Sequence, residues 1–240
     1  MTEIGVEFDA ATVSVEDHAG GEAARRTLLA PTTLSLTEPR IAVVGANGSG
    51  KSTLLKLING LVRPTAGEVR VGGYSTTAEP KRVRRLTGFL FTDPAAQLVM
   101  PVVVEDVELS LKATVKDRQE RRSRALATLS ALGISHLAER SVFDLSGGER
   151  QLVALASVLA AGQRLLVADE PTTLLDLRNQ ALLERTLDTL EQQVIYATHD
   201  LDFAARADRV LVVDSGAVVY DGDAGAGLEA YRALALGAAS

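Results

Sequence analysis

The chain has no cysteine, so neither a disulfide framework nor a thiolate metal site is available, which fits a reducing cytoplasm. It also lacks a long apolar run. The longest, Leu152 to Ala161, falls well short of the roughly 20 residues that span a bilayer. The opening "MTEIGVEFDA" carries acidic residues and no apolar core, so it does not read as a signal peptide. Any membrane role is therefore expected to be peripheral, through a partner. Positive charge is not in excess either: 25 Lys and Arg against 31 Asp and Glu give a formal net charge of -6, which supplies no general electrostatic reason to bind nucleic acid. The runs Lys81 to Arg85 and Arg118 to Arg124 read as solvated loop and helix faces. No repeat at a solenoid period is evident.

What is present is enough to build a substantial core, since the 240 residues are 46% hydrophobic. Strand-like runs fall at Ile4 to Phe8, Thr12 to Val15, Arg40 to Val44, Glu68 to Val71, Gly88 to Phe91, Arg164 to Ala168, Val194 to Thr198 and Val210 to Val213. Four of them, "IAVVG", "LLVAD", "VIYAT" and "VLVVD", are unbroken apolar runs, the pattern of parallel strands covered on both faces. Helical spacing at Lys51 to Leu61, Arg118 to Leu132, Glu149 to Ala161, Asn179 to Gln192 and Leu201 to Ala207 alternates with these strands in the βαβ manner. The predicted fold is an α/β core with a parallel sheet. The N-terminal strands and "GEVRVGG" read as an antiparallel β annex. Strand signal is lost from about Ala95 to Leu145, which predicts an inserted helical subdomain; residues 1–94 and 156–240 are assigned to the core and annex, and about 95–155 to the helices.

"GANGSGKST" follows an apolar strand and precedes a helical pattern. Gly45, Ala46, Asn47, Gly48, Ser49, Gly50, Lys51, Ser52 and Thr53 satisfy the P-loop spacing G-x-x-x-x-G-K-[ST]. Its glycines let backbone N–H groups turn inward around phosphate oxygens at a helix N-terminus. Lys51 is expected to reach the β and γ phosphates of a nucleoside triphosphate, and Ser52 to ligate Mg²⁺. "RLLVADEPT" is an apolar strand ending in two carboxylates. Beside a P-loop, Asp169 is expected to hold Mg²⁺ through water and Glu170 to polarise an attacking water.

In "DLSGGERQLVALASVLA", Ser146 is placed to cap a helix beginning near Glu149, and Gly147 and Gly148 leave room for backbone to approach a ligand, building a second anion site. His199 stands at the end of another apolar strand, where ligands gather in α/β sheets. Asp176, before a helical pattern, has the position of an N-cap.

Together the P-loop, "LSGGER" at Leu145 to Arg150, "LLVADE" at Leu165 to Glu170, "LLD" at Leu174 to Asp176 and "ATHD" at Ala197 to Asp200 resemble an ATP-binding-cassette ATPase, in order and spacing, over nearly the whole chain. The resemblance implies a head-to-tail dimer, each ATP sandwiched between one subunit's P-loop and Ser146, Gly147, Gly148 and Glu149 of the other. It further implies that Glu170 activates water, that His199 contacts the γ-phosphate and that Asp176 communicates across the interface. Phe91-Thr92-Asp93-Pro94-Ala95-Ala96-Gln97-Leu98, followed by "MPVVVEDVELSL", is similar to the energy-coupling-factor transporter ATPases, which power uptake of vitamins and of cobalt or nickel ions. That implies a transmembrane coupling protein, a separate substrate-binding membrane subunit and a location on the cytoplasmic face of the membrane, with biotin favoured as cargo.

Two positions depart from the family's pattern. Thr92 stands where the family has a glutamine that contacts Mg²⁺ and the attacking water, leaving Thr92, Gln97 or water to fill that role. The family's adenine-stacking aromatic has no counterpart in "VSVEDHAGG", where His18 offers the one candidate ring. A soluble ATPase of the same superfamily acting on DNA or ribosomes is the competing reading. Its DNA-repair members insert a long coiled coil and its ribosome-acting members carry two cassettes, neither of which fits 240 residues with one P-loop. A small-molecule P-loop kinase has no use for "LSGGER".

Overall fold

The computed structural model describes residues 4–17, 24–173 and 175–237; His18 and Leu174 lie outside them. The described elements run β1 (Val6–Asp17), β2 (Ala24–Leu36), β3 (Arg40–Val44), α1 (Lys51–Ile58), β4 (Ala66–Val71), β5 (Tyr74–Ser75), α2 (Pro80–Leu86) and β6 (Thr87–Leu90). There follow α3 (Val103–Leu111), α4 (Arg118–Ala131), α5 (Gly147–Ala160), β7 (Leu165–Asp169), α6 (Leu177–Thr189), β8 (Gln193–Ala197), α7 (Leu201–Ala204), β9 (Arg209–Asp214), β10 (Ala217–Gly222) and α8 (Ala224–Ala235).

The four apolar runs predicted to be parallel strands are β3, β7, β8 and β9. They lie in one sheet of order β10-β9-β3-β8-β7-β6, parallel except for the β9–β10 hairpin. Side chains alternate faces along a strand, and here both faces are covered. Ile41, Val43, Leu165, Val167, Ile195 and Ala197 point into a core shared with α1 and the β annex. Their neighbours Ala42, Val44, Leu166, Ala168, Val194 and Tyr196 point into a second core, built with α3, α4, α5 and α6. This two-sided burial is why the strands read as unbroken apolar runs rather than as alternation.

The annex is an antiparallel sheet of order β2-β1-β4-β5. The two short N-terminal strands of the sequence reading merge into β1, which carries register irregularities between Phe8 and Ser14. Strand β2 escaped the reading because Pro31 interrupts it. As an edge strand it tolerates a residue without an N–H. Strand β10 and helix α8 were also not predicted. The β9–β10 turn holds Ser215 and Gly216 at positive φ, 47° and 82°, the geometry of a two-residue hairpin, and Asp223 caps α8 by accepting from Ala226 N–H.

Between β6 and β7 the described residues hold helices and 3-10 turns, with a single isolated bridge between Val102 and Ser141. Helix α5 runs through residue 155, where the sequence reading drew the edge of its helical part. It is buried from Gln151 to Val158. Three of the helices stop short of what their periodicity predicts, α1 ending at Ile58 rather than Leu61. Helix α6 stops at Thr189, where Leu190 turns extended, and α7 is one turn long.

The segment after β6 is pinned by polar contacts. Asp93 accepts from Ala95 N–H across a 3-10 turn at Pro94–Ala96, and Gln97 Oε1 accepts from Phe91 N–H at 3.4 Å. Buried Asp106 on α3 accepts from Val99 N–H, Met100 N–H and Ser157 Oγ, joining the segment to α3 and α5.

Candidate active site

Residues Gly45 to Gly50 join β3 to α1 at the C-terminal edge of the parallel sheet, and Lys51 to Thr53 form the first turn of α1. Glycine is required here on steric grounds. A Cβ on Gly45 would sit 2.1 Å from the Val213 carbonyl oxygen of β9, and one on Gly50, at φ +111°, would sit 2.9 Å from that of Leu28 on β2. Gly48 is also left-handed, at φ +80°. These conformations turn the loop on itself, and Ser49 N–H donates to Ala46 O at 3.1 Å. Gly50 is the N-cap of α1 and supplies no side-chain acceptor, so the N–H groups of the first turn stay available to an anion.

Lys51 is buried, and its ammonium donates to the carbonyls of Gly45 at 2.7 Å and Ala46 at 3.1 Å, with Glu170 Oε1 3.7 Å away. Two of its three protons are thus spent on orientation. Ser52 Oγ donates to Asp169 Oδ1 at 2.9 Å. Burial pushes the Asp169 carboxyl above its usual range, against the opposing pull of the Ser52 hydroxyl and the Lys56 and Lys51 charges. A hydroxyl and a carboxylate side by side are hard oxygen donors. With no group of three or more His, Cys, Asp or Glu able to hold a metal among the described residues, they suit a cation that takes its other ligands from phosphate and water, as Mg²⁺ does.

Glu170 has a left-handed backbone, φ +50°, held by its N–H donating to Ala197 O at 3.1 Å. Such a conformation in a non-glycine residue is strained, and strain of this kind concentrates at functional positions. Its Oε2 lies 2.8 Å from His199 Nδ1, accepts weakly from His199 N–H at 3.3 Å and from Thr173 Oγ1 at 3.4 Å. Thr92 Oγ1 donates to the Asp169 carbonyl at 2.7 Å. The ends of β6, β7 and β8 therefore bring Thr92, Asp169, Glu170 and His199 to the P-loop. Glu170 lines a cleft of about 600 Å³ over the P-loop, and with Thr92 and His199 it lines a second of about 510 Å³, while Asp169 lines neither and joins the site through Ser52.

The other predicted residues lie apart: among those lining both clefts none comes from 144–150, nor is Asp176 one of them. Ser146 is the N-cap of α5 and forms a capping box with Glu149: Glu149 N–H donates to Ser146 Oγ at 3.2 Å and Ser146 N–H to Glu149 Oε2 at 2.8 Å. The Ser146 amide is the main cause holding the Glu149 carboxyl below its usual range. Asp176 caps α6 through Asn179 N–H at 2.8 Å. The Asn179 amide accepts no larger residue at 148, since a Cβ there would lie 2.5 Å from Asn179 Nδ2. The "LSGGER" helix and the start of α6 are thereby packed on each other within one chain.

The sequence reading missed part of the cleft wall. Arg26, Thr27 and Leu28 of β2 line it, as do Ser215 and Gly216, the latter joined to the P-loop by Gly216 N–H donating to Ser49 O at 2.8 Å. Tyr231 of α8 lines the second cleft. The Ser-Gly pair between "VLVVD" and "AVVYDG" is a readable hairpin signal; the docking of that turn on a loop some 165 residues earlier is not local information.

The sequence pattern of the family described as ABC transporter matches residues 32–173. The chain is 42% identical over 219 residues to the biotin transport ATP-binding protein BioM of Rhizobium etli, covering 91% of this chain and 97% of that protein. It is 42% identical over 184 residues to the energy-coupling factor transporter ATP-binding protein EcfA1 of Levilactobacillus brevis, covering 75% of this chain and 66% of that one. Among solved structures, the dimeric post-hydrolysis state of the ATP-binding cassette MJ0796 bound to ADP and Pi superposes with a TM-score of 0.81 at 29% identity, over 91% of this chain and 98% of that one.

Proposed function

The chain belongs to the ABC transporter family as an ATP-binding, ATP-hydrolysing protein, and from this premise we propose that it is the motor subunit of an energy-coupling-factor type importer, with biotin the favoured cargo and cobalt or nickel ion next. The observation that carries the reading is the line of Asp169, Glu170 and His199 along the strand ends, beside Ser52 on an uncapped α1. Likeness to the biotin transport and energy-coupling factor proteins supports the cargo class.

In this reading the triphosphate lies on the first-turn N–H groups of α1, with Lys51 on the β and γ phosphates. Ser52 Oγ and, through water, Asp169 would hold Mg²⁺, with Thr92 the further candidate, and the bound ion would neutralise charge on the phosphate oxygens. Glu170 accepts a proton from the attacking water as its oxygen bonds to the γ-phosphorus, and the bond to the ADP oxygen breaks. His199 orients Glu170 and meets the γ-phosphate. Ser146 to Glu149 of a second copy close the site, and Asp176 lies at that interface. We read residues 1–240 as one nucleotide-binding domain with helical residues about 95–155.

Among the described residues no helix is long and apolar enough to cross a membrane, so the reading needs membrane partners: a coupling protein and a separate substrate-binding subunit, with this chain peripheral on the cytoplasmic face. A groove of about 350 Å³ lined by Gln97, Val99, Asp106 and Leu109 supports docking beside Phe91 to Val104. The test is uptake of labelled biotin and of cobalt in a strain deleted for this chain, with co-purification from membranes alongside. Loss of biotin uptake, restored by the wild-type chain and not by Glu170→Gln, is expected. Loss of cobalt uptake alone would reassign the cargo, and a chain that never co-purifies with an integral membrane protein would remove the importer reading.

A further inference from the structure

The cleft over the P-loop has two unlike walls. One is the phosphate loop. The other is the start of β2, where three successive residues, Arg26, Thr27 and Leu28, line the same cleft. A regular strand alternates its faces, so this requires the register shift recorded between Val13 and Ser14, which leaves Leu28 unpaired between Thr27 and Leu29. Arg26 thus places a cation at the edge of a cleft whose other wall is the phosphate loop.

The position of Arg26 along the strand decides what it meets. The Leu28 carbonyl lies 2.9 Å from where a Cβ on Gly50 would be, so β2 presses on the phosphate loop at that residue. Arg26 is two residues back, about 6 Å farther from the loop, past the depth of the phosphates. Its side chain is exposed and, among the described residues, makes no ion pair. The contrast within the chain is clear: Arg209 is held by Glu38 and Asp221, and Arg206 by Glu184 and Asp188. No aromatic ring is among the described residues lining this cleft. A purine base is a flat π-system that gains from a planar cation on its face, and a guanidinium provides one.

We propose that Arg26 covers the nucleobase, its guanidinium stacking on one face of the purine. The proposal rests on the reading of this cleft as the ATP site and adds to it a determinant of nucleotide choice. A stack does not read the hydrogen-bonding edge of a base. Selectivity between adenine and guanine from this contact is accordingly small, and a nucleoside triphosphate is held much more tightly than bare tripolyphosphate.

The experiment measures affinities of the full chain for ATP, GTP and inorganic tripolyphosphate, each with Mg²⁺, by calorimetry. Arg26→Ala is expected to weaken ATP and GTP alike, by about 3- to 30-fold, and to leave tripolyphosphate where it was. Arg26→Trp is expected to restore both nucleotides, and Arg26→Lys to restore them only in part. Equal weakening of tripolyphosphate would make Arg26 a phosphate contact and overturn the proposal. So would an unchanged ATP affinity, or transfer of the whole nucleoside preference to a His18→Ala variant. Failure of the underlying reading looks different: Lys51→Ala would then bind ATP and tripolyphosphate as the wild type does.

Discussion

Helix α1 begins after Gly50, which places no side-chain acceptor over the first turn, whereas α5 begins after Ser146, whose hydroxyl and the Glu149 carboxylate close on each other's amides. Both starts are glycine-led and both have the motif chemistry of an anion site. The first lines a cleft, with a buried ammonium and strand-end carboxylates around it, whereas no residue of 144–150 is among the described lining of either cleft. Its donors are left free by the fold and await a ligand. At α5 the Ser146 and Glu149 amides are already engaged, so in the proposed dimer a phosphate arriving on a second surface competes with the cap. In the dimer reading proposed above, the difference makes the α1 start a finished half-site and the α5 start a closing half-site, the second adding little affinity alone.

The comparison can be broken first at the chemistry. Glu170→Gln is expected to lower ATP hydrolysis by about 10²- to 10⁴-fold while ATP binding persists and a dimer accumulates, read by phosphate release and by size-exclusion chromatography with ATP. Normal hydrolysis would take the base assignment away from Glu170. Lys51→Ala acts on the finished half-site itself, removing charge-assisted contacts to phosphate, and ATP affinity measured by calorimetry should fall by about 100-fold.

Effects at the closing half-site are smaller. Gly148→Ala drives a methyl group into the Asn179 amide and is expected to cost about 1–3 kcal/mol in urea unfolding. Pairing it with Asn179→Ala should recover much of that, because the two closest atoms are removed. If the single variant is neutral, the contact is not holding α6. Ser146→Ala removes the cap, for about 1 kcal/mol, and should lower hydrolysis while ATP affinity at the P-loop holds. A matching loss of affinity would mean that the two half-sites are not separable.

The parallel sheet was legible because each of its buried strands is covered twice, which writes itself as "LLVAD" or "VIYAT". The annex was less so: Pro31 hides an edge strand, and the Gly and Ala of α8 mask a helix whose signal is its Asp223 cap. The P-loop, Asp169 and Glu170 were readable since loop and strand end are local. Their partners were not. That Gly216 braces Ser49, that β2 forms the opposite wall, and that Thr92 bonds the Asp169 carbonyl all follow from packing between distant segments. The Ser146 cap was legible in the sequence; what was not is that Glu149 returns the bond and that Gly148 makes room for α6.

Gly48 and Gly148 meet different demands. An added Cβ at 48 meets nothing within 4 Å, so what the position demands is backbone handedness; at 148 it strikes a neighbouring helix. A descendant of this chain that had lost its reaction would be free to change Lys51 and would still need glycine at 148 to seat α6. As testimony to activity in a diverged copy, the second glycine of the signature therefore carries less weight than its place in the motif implies.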